Sequence, residues 1–276
     1  MLLNKIGTWL INRIGSKYGR YAVLVWTNRW NNLFKGEKPG QKYLFVLSPA
    51  FCGSTLLNEI LSTSESVSVN NQWGAREGQK LPTVRAIMYD HERRWDKSLD
   101  FDWKYIKKEW RKYWDLSAPI LLEKSPPNIV RAKSIEEHFH PSYFIVFHRN
   151  PYAHCESLIR RRKRDATVAA ELAIRCLNFQ KANLKGLERT IRISYEELTD
   201  NTVETVEALN KFLPELKGIK HEQTFTAHNY LGKNMKVNNL NDDKISKLTS
   251  HQIKEINHVF KKNKEVLDFF NYSLIE

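Results

Sequence analysis

The sequence predicts an α/β fold: a parallel β-sheet flanked by helices on both faces and interrupted by a helical insertion. Three observations predict it. Short apolar runs rich in strand-forming residues alternate with helical patterns. The runs are continuous rather than alternating polar and apolar, as strands covered on both faces require. One long stretch, residues 72–118, is rich in Trp, Arg and Lys and poor in strand signals, which marks an insertion. With 276 residues, 41% of them hydrophobic, the chain can bury one good core and has little room for a second full domain.

Taken in order, residues 1–35 form an amphipathic N-terminal segment. Leu3, Ile6, Leu10, Ile14 and Tyr18 recur at spacings of three and four, which is one face of a helix. Lys5, Arg13, Lys17 and Arg20 lie among them, and Trp9, Trp26 and Trp30 add amphipathic rings. Two readings stay open: a helix packed on the protein's own body, or a basic interfacial helix making peripheral contact with an anionic membrane.

The breaker cluster Gly36–Gly40 then opens a domain spanning 36–276. Its expected strands are Lys42–Leu47, Pro119–Leu122, Ser142–Phe147 and Thr190–Ile193. Expected helices are Thr55–Ser62, Ile129–His138, Pro151–Arg164, Thr167–Leu187, Val203–Phe212 and His251–Phe260. The insertion 72–118 falls between the first two of these strands, a usual place for an acceptor-binding lid.

Lys and Arg number 44 against 31 Asp and Glu, a net charge of +13, so the partner is anionic. Charge alone does not choose between a nucleic acid, an acidic membrane surface and a nucleotide with its substrate. The three cysteines, Cys52, Cys155 and Cys176, make neither a CxxC pair nor an even framework, which argues against a disulfide scaffold or zinc site and for a reducing compartment. No stretch approaches the about 20 apolar residues that span a bilayer, and the N-terminus lacks a signal-peptide pattern. A cytoplasmic protein is expected, with membrane association as the alternative open to residues 1–35.

Two constellations carry chemistry. In the first, Leu47-Ser-Pro-Ala-Phe-Cys-Gly-Ser-Thr-Leu-Leu57, a buried strand runs into a tight glycine-containing loop and a helix opening at Ser54 and Thr55. Backbone N–H groups and the dipole at such a helix start form an anion site. The loop resembles a Walker A turn without its lysine. In the second, Phe147-His-Arg149-Asn150-Pro151 leads into a helix carrying Ser157 two turns on. Pro151 suits the first helical turn, and a guanidinium with a hydroxyl makes a phosphate clamp. Both constellations sit at carboxyl ends of parallel strands, where open α/β sheets bind ligands.

Together these motifs resemble the sulfotransferases that use 3′-phosphoadenosine-5′-phosphosulfate (PAPS), a family with a P-loop NTPase-like fold. Pro49-Ala-Phe51-Cys52-Gly53-Ser54-Thr55 is similar to the family's 5′-phosphosulfate loop, and Arg149, Asn150, Pro151 and Ser157 to its 3′-phosphate element. Glu123-Lys124-Ser125-Pro126 resembles its Glu-Lys-Thr-Pro segment. Ile193-Ser-Tyr195-Glu-Glu-Leu198 resembles a stretch whose Tyr lies near the nucleotide, and Gly232-Lys233-Asn-Met-Lys236 a loop that closes over it. The resemblance runs from about Lys42 to the C-terminus. It implies transfer of a sulfuryl group from PAPS to a hydroxyl of a carbohydrate or lipid-type acceptor, with no metal, Lys124 stabilising charge and Glu77 as general base. Asp90, His91, Glu92 and His148 are the other candidate bases.

One departure stands out. Phe51 occupies a position where the family usually has Arg or Lys; Lys124, Lys236, Lys233 and Arg76 are candidate replacements for that cation. The run Arg160–Arg164 reads either as cations stabilising a helix C-terminus or as an anion-binding element. The rival readings are a P-loop nucleotide kinase or NTPase, disfavoured by the missing Walker lysine and Mg²⁺-binding Asp, and a basic nucleic-acid- or membrane-binding protein without catalysis. No nucleic-acid-binding signature is present.

Overall fold

A computed structural model describes residues 17–221, 225–226, 234–235 and 237–276. Residues 1–16, 222–224, 227–233 and 236 are outside the described residues, and with them Leu3, Lys5, Ile6, Trp9, Leu10, Arg13, Ile14, Gly232, Lys233 and Lys236.

Helix α1 spans Lys17–Lys35. The sheet follows from β1 (Lys42–Leu47), β2 (Val67–Val69), β3 (Ile120–Glu123), β4 (Ser142–His148) and β5 (Thr190–Ser194). All pairings are parallel, in the order β2-β3-β1-β4-β5. Side chains alternate between two apolar layers, so all positions of β1 and β4 but Lys42 and Tyr143 are buried. From β1, Tyr43, Phe45 and Leu47 join Phe144 and Val146 of β4 under α1 and the insertion. Leu44 and Val46 join Ile145 and Phe147 on the opposite face. That two-sided burial is why the strands read as unbroken apolar runs.

The opposite face is covered by α2 (Ser54–Leu61), α8 (Tyr195–Asp200) and α9 (Thr202–Phe212). The first face carries α3 (Arg85–Met88) and α4 (Trp103–Trp110) of the insertion, then α5 (Ala132–His138) and part of α7 (Ala166–Gly186). A third apolar cluster joins α6 (Pro151–Arg162) and α7 to the C-terminal helices α11 (Ser250–Lys261) and α12 (Lys264–Phe269). A short antiparallel pair, Phe225–Thr226 with Asn234–Met235, precedes α10 (Asn241–Ile245).

Beyond short helices that it does not separate, such as Tyr195–Asp200 and Asn241–Ile245, the sequence expectation differs from the structure in three instructive places. It lacks β2, so the insertion lies between β2 and β3 rather than directly after the first strand. Three residues, Val67-Ser-Val69, are too few to show a period. The helix expected over 129–138 divides into a 3₁₀ turn at Pro126–Val130 and α5, with Arg131 between them. Arg131 is buried and donates to the carbonyls of Leu99, Arg94 and Asp96 in the insertion, a tertiary demand that local pattern does not carry. Helix α6 stops at Arg162, because Lys163 turns left-handed at φ 53°.

The chain reverses direction across the sheet at β1: β2 and β3 lie on one side, β4 and β5 on the other. Buried Gln180 of α7 spans this switch point, its amide donating to the Leu47 carbonyl (2.7 Å) and the Phe147 carbonyl (2.9 Å). The crevice beyond these strand ends is where an open α/β sheet takes a ligand.

Candidate active site

At that crevice lies a cavity of about 640 Å³, within the range of small-molecule sites. Phe51, Gly53, Ser54, Thr55, Glu77, Lys124, Arg149, Ser157 and Tyr195 all line it. The two constellations separated by nearly a hundred residues in sequence thus share one space.

The β1–α2 turn is shaped by two left-handed residues, Phe51 at φ 71° and Gly53 at φ 91°. Gly53 caps α2 without any side-chain hydrogen bond, leaving the first N–H groups of the helix toward the cavity side of the turn. A Cβ on Gly53 would lie 2.5 Å from the ring of Tyr195, so glycine is required by both backbone and contact. Cys52 differs from the rest of the loop. Its side chain is buried beneath the turn and does not line the cavity, and burial pushes its thiol pKa up, so only its backbone is available to a ligand. All three cysteines are free.

Arg149 leaves the end of β4 and lies over the Tyr195 ring at 3.8 Å from the centroid. Its Nε donates to Asn241 (2.7 Å), while its buried Nη2 has no hydrogen-bond partner among the described residues. An unpartnered guanidinium nitrogen in a closed site costs free energy unless an acceptor arrives, and a phosphate oxygen is such an acceptor. Glu196 holds the support behind it, accepting from the Asn150 N–H (2.9 Å), the Asn241 amide (2.5 Å) and the Tyr272 hydroxyl (3.1 Å). Ser157 sits alongside and is contacted by Lys244 of α10, whose Nζ also lies 3.2 Å from Glu156. Burial and the neighbouring Arg149 lower the Lys244 pKa to about 8. Sequence reasoning missed Lys244: it lies in no motif, and only the packing of α10 against α6 brings it to Ser157.

On the facing wall, Lys124 is fully buried and its pKa falls to about 8, chiefly through burial. Its Nζ donates to the Ala75 carbonyl (2.5 Å) and lies 3.9 Å from the Glu77 carboxylate. The other Glu77 oxygen meets Lys80 (3.0 Å) and the Gln79 amide (2.8 Å). Glu123 anchors this wall: it accepts from the Gly78 N–H (3.1 Å), Ser125 (2.5 Å) and Asn128 (2.5 Å). Its own pKa rises to about 7 through burial. A Cβ on Gly78 would lie 2.6 Å from Glu123, so the wall seats closely on the strand end.

The remaining candidates lie elsewhere. Asp90, His91 and Glu92 do not line the cavity, and Asp90 pairs with Arg85. His148 is buried against Tyr272, and burial with the charge of Arg192 lowers its pKa to about 3, so it is a neutral packing residue. Arg76 is committed to Glu59 (3.6 Å) and Ser62 (3.2 Å) and does not line the cavity. Arg161 and Arg162 do line it, with guanidinium carbons 5.8 and 5.5 Å from the Phe51 ring centroid, inside cation–π range. The position that lacks a cation in the loop therefore has two beside it, from the end of α6.

A parallel sheet with backbone N–H groups and cations at its central strand ends is the arrangement with which an open α/β fold takes an anionic ligand. The model of the Sulfotransferase family matches residues 44–216, and the chain belongs to that family; it is a transferase. Among solved structures it is similar to the sulfotransferase domain from the curacin biosynthetic pathway, with TM-score 0.54 and 20% identity over 87% of this chain and 100% of that one. It is also similar to a sulfotransferase from Alicyclobacillus acidocaldarius, with TM-score 0.50 and 14% identity over 86% and 97% of the two chains. Identity at this level speaks to the fold alone. No protein of curated function matches the chain.

Gly53→Ala should weaken binding of 3′,5′-bisphosphoadenosine by about tenfold or more, since overpacking against a ring held by its hydroxyl typically costs about 1–3 kcal/mol. Calorimetry reads the affinity, and unchanged circular dichroism shows that the fold survives. The same affinity should fall as pH rises through about 8, where Lys244 loses charge. The sign follows from the cation being the binding form: an anion beside Lys244 raises its pKa, so binding near pH 8 takes up protons. Calorimetry in buffers of different ionisation enthalpy measures that uptake.

Proposed function

We propose that the chain moves the sulfuryl group of PAPS onto a hydroxyl of a carbohydrate or lipid-type acceptor, using no metal. The observation that carries this reading is the sharing of one cavity by the Gly53–Thr55 turn and the Arg149–Ser157 pair, with the Arg149 Nη2 unpartnered among the described residues. A nucleotide with an anion at each end has chemistry that matches both.

In this reading Arg149, Ser157 and Lys244 hold the 3′-phosphate, and the N–H groups of 53–55 receive the 5′ end. Tyr195, edged against Gly53, keeps the two subsites at a fixed spacing. When bound, PAPS supplies an activated sulfuryl group whose transfer leaves negative charge on the bridging oxygen. Sulfuryl transfer resembles phosphoryl transfer, in which positioning and charge stabilisation dominate. Lys124, buried and cationic below about pH 8 on the Glu77 wall, stabilises that charge. Glu77 takes the acceptor proton as the new O–S bond forms; its carboxylate faces the cavity within a cluster of three donors. Arg161 and Arg162, over Phe51, supply the cationic charge that the family's loop usually carries itself.

Incubation with ³⁵S-labelled PAPS against glycan, lipid and phenol panels tests the reaction, with bisphosphate calorimetry in parallel. Lys124→Ala should lower turnover about a hundredfold, the effect of losing one charge-stabilising donor, while bisphosphate affinity holds. Full activity in that variant would remove Lys124 from the chemistry. The paired change Arg161→Ala with Arg162→Ala should lower kcat about tenfold or more, and adding Phe51→Arg should restore most of it. An unchanged kcat in the paired variant would leave the two arginines as helix-end charges only.

A further inference from the structure

We infer that α1 seats this protein on an anionic lipid surface through its outer aromatic face. The helix is amphipathic the wrong way round for one that packs only on its own protein. Its inner face is largely polar: Thr27, Asn28 and Asn31 are buried beside Tyr21 and Leu24. That face is hydrogen-bonded to the body, Asn28 donating to the Tyr113 carbonyl (2.7 Å) and Asn32 accepting from the Leu116 N–H (2.9 Å). The outer face carries Trp26, Trp30, Leu33 and Phe34, with Leu33 68% and Phe34 72% exposed. Trp26, Trp30 and Phe34 form a continuous aromatic ladder with centroid spacings of 6.1 and 5.7 Å. Five of the nine exposed large apolar side chains among the described residues belong to this one helix, so the feature is a patch and not scattered surface.

Charge selects what covers it. Residues 1–35 contain Lys5, Arg13, Lys17, Arg20, Arg29 and Lys35 and no Asp or Glu, so this segment supplies six of the thirteen net positive charges. A second copy of the chain would bring the same cations against themselves. An anionic bilayer neutralises them while its headgroup layer takes the indole rings, which are apolar with one polar N–H. No described helix is long and apolar enough to cross a membrane, so the contact is with the surface.

The helix is also tied to the cavity. The Tyr21 hydroxyl donates to the Asn71 side chain (3.1 Å), and the Asn71 amide donates to the Glu77 carbonyl (2.7 Å). The docking face and the Glu77 wall are therefore joined through one side chain, an arrangement suited to an acceptor that is itself held in the membrane surface. This deepens the proposed lipid-type acceptor and rests on that reading only for the acceptor, not for the docking.

Flotation of the full chain with phosphatidylcholine vesicles, and with vesicles that also contain phosphatidylserine, tests it without any donor nucleotide. The chain should float with the phosphatidylserine vesicles, be released by high salt, and lose at least an order of magnitude in partitioning on combined Trp26→Ser, Trp30→Ser and Phe34→Ser. Bisphosphate calorimetry on the same variant, without vesicles, should be unchanged. Failure of the wild type to float, or equal flotation of the variant, overturns the docking face. So does a wild-type dimer in sedimentation that the variant abolishes, since a second copy would then be the occupant. Intact bisphosphate binding without flotation sinks the docking face alone, and flotation without bisphosphate binding sinks the donor reading alone.

Discussion

The active site depends on one aromatic ring. Tyr195 begins α8 directly after β5, its edge fills the space that a Cβ on Gly53 would need, and Arg149 covers its face. Its hydroxyl donates to the Asn238 carbonyl and accepts from the Leu240 N–H, drawing the segment before α10 over the crevice. One side chain thus joins the β1–α2 turn, the end of β4 and the approach to Lys244. The capping box at Ser194 and Glu197 starts the helix that aims it.

Around this ring the fold concentrates cations where water is scarce. Lys124 and Lys244 both have pKa values drawn down to about 8 by burial, so each is held at the edge of its charged range and gains from an anion nearby. The carboxylates are arranged as supports. Glu156 and Glu196 back the Arg149 side, and Glu123 seats the Gly78 N–H beneath the facing wall. Electrostatic preorganisation of this kind is worth more in a crevice than in open water, because the dipoles are already oriented when charge develops.

The insertion unites function with placement. Its Trp103, Trp110 and Trp114 are buried against Phe139 and β1, which makes them part of the core. Arg131 pins its middle by carbonyl contacts, and α1 pins its start through Asn71. The wall carrying Glu77 is therefore rigidly referred both to the sheet and to the helix with the exposed aromatic face.

Much of the architecture was legible because local pattern and tertiary need agree. Three of the five strands, β1, β3 and β4, are near-continuous apolar runs, since central parallel strands are buried on both faces, and the Gly53 and Pro151 positions mark their helices by backbone requirements alone. β2 was illegible because three residues carry no period, and the split at Arg131 because its cause is a set of carbonyls some 30 residues away in sequence. The sequence by itself determined the strand–turn–helix units and the residue types at their tips. Only the tertiary structure decided that those tips share one cavity, that Cys52 turns inward, that Arg161 and Arg162 stand beside Phe51, and that Lys244 reaches Ser157. The physical reason is that turns and periodicity are short-range properties of the chain, whereas a charge cluster is assembled by packing elements that the sequence keeps far apart.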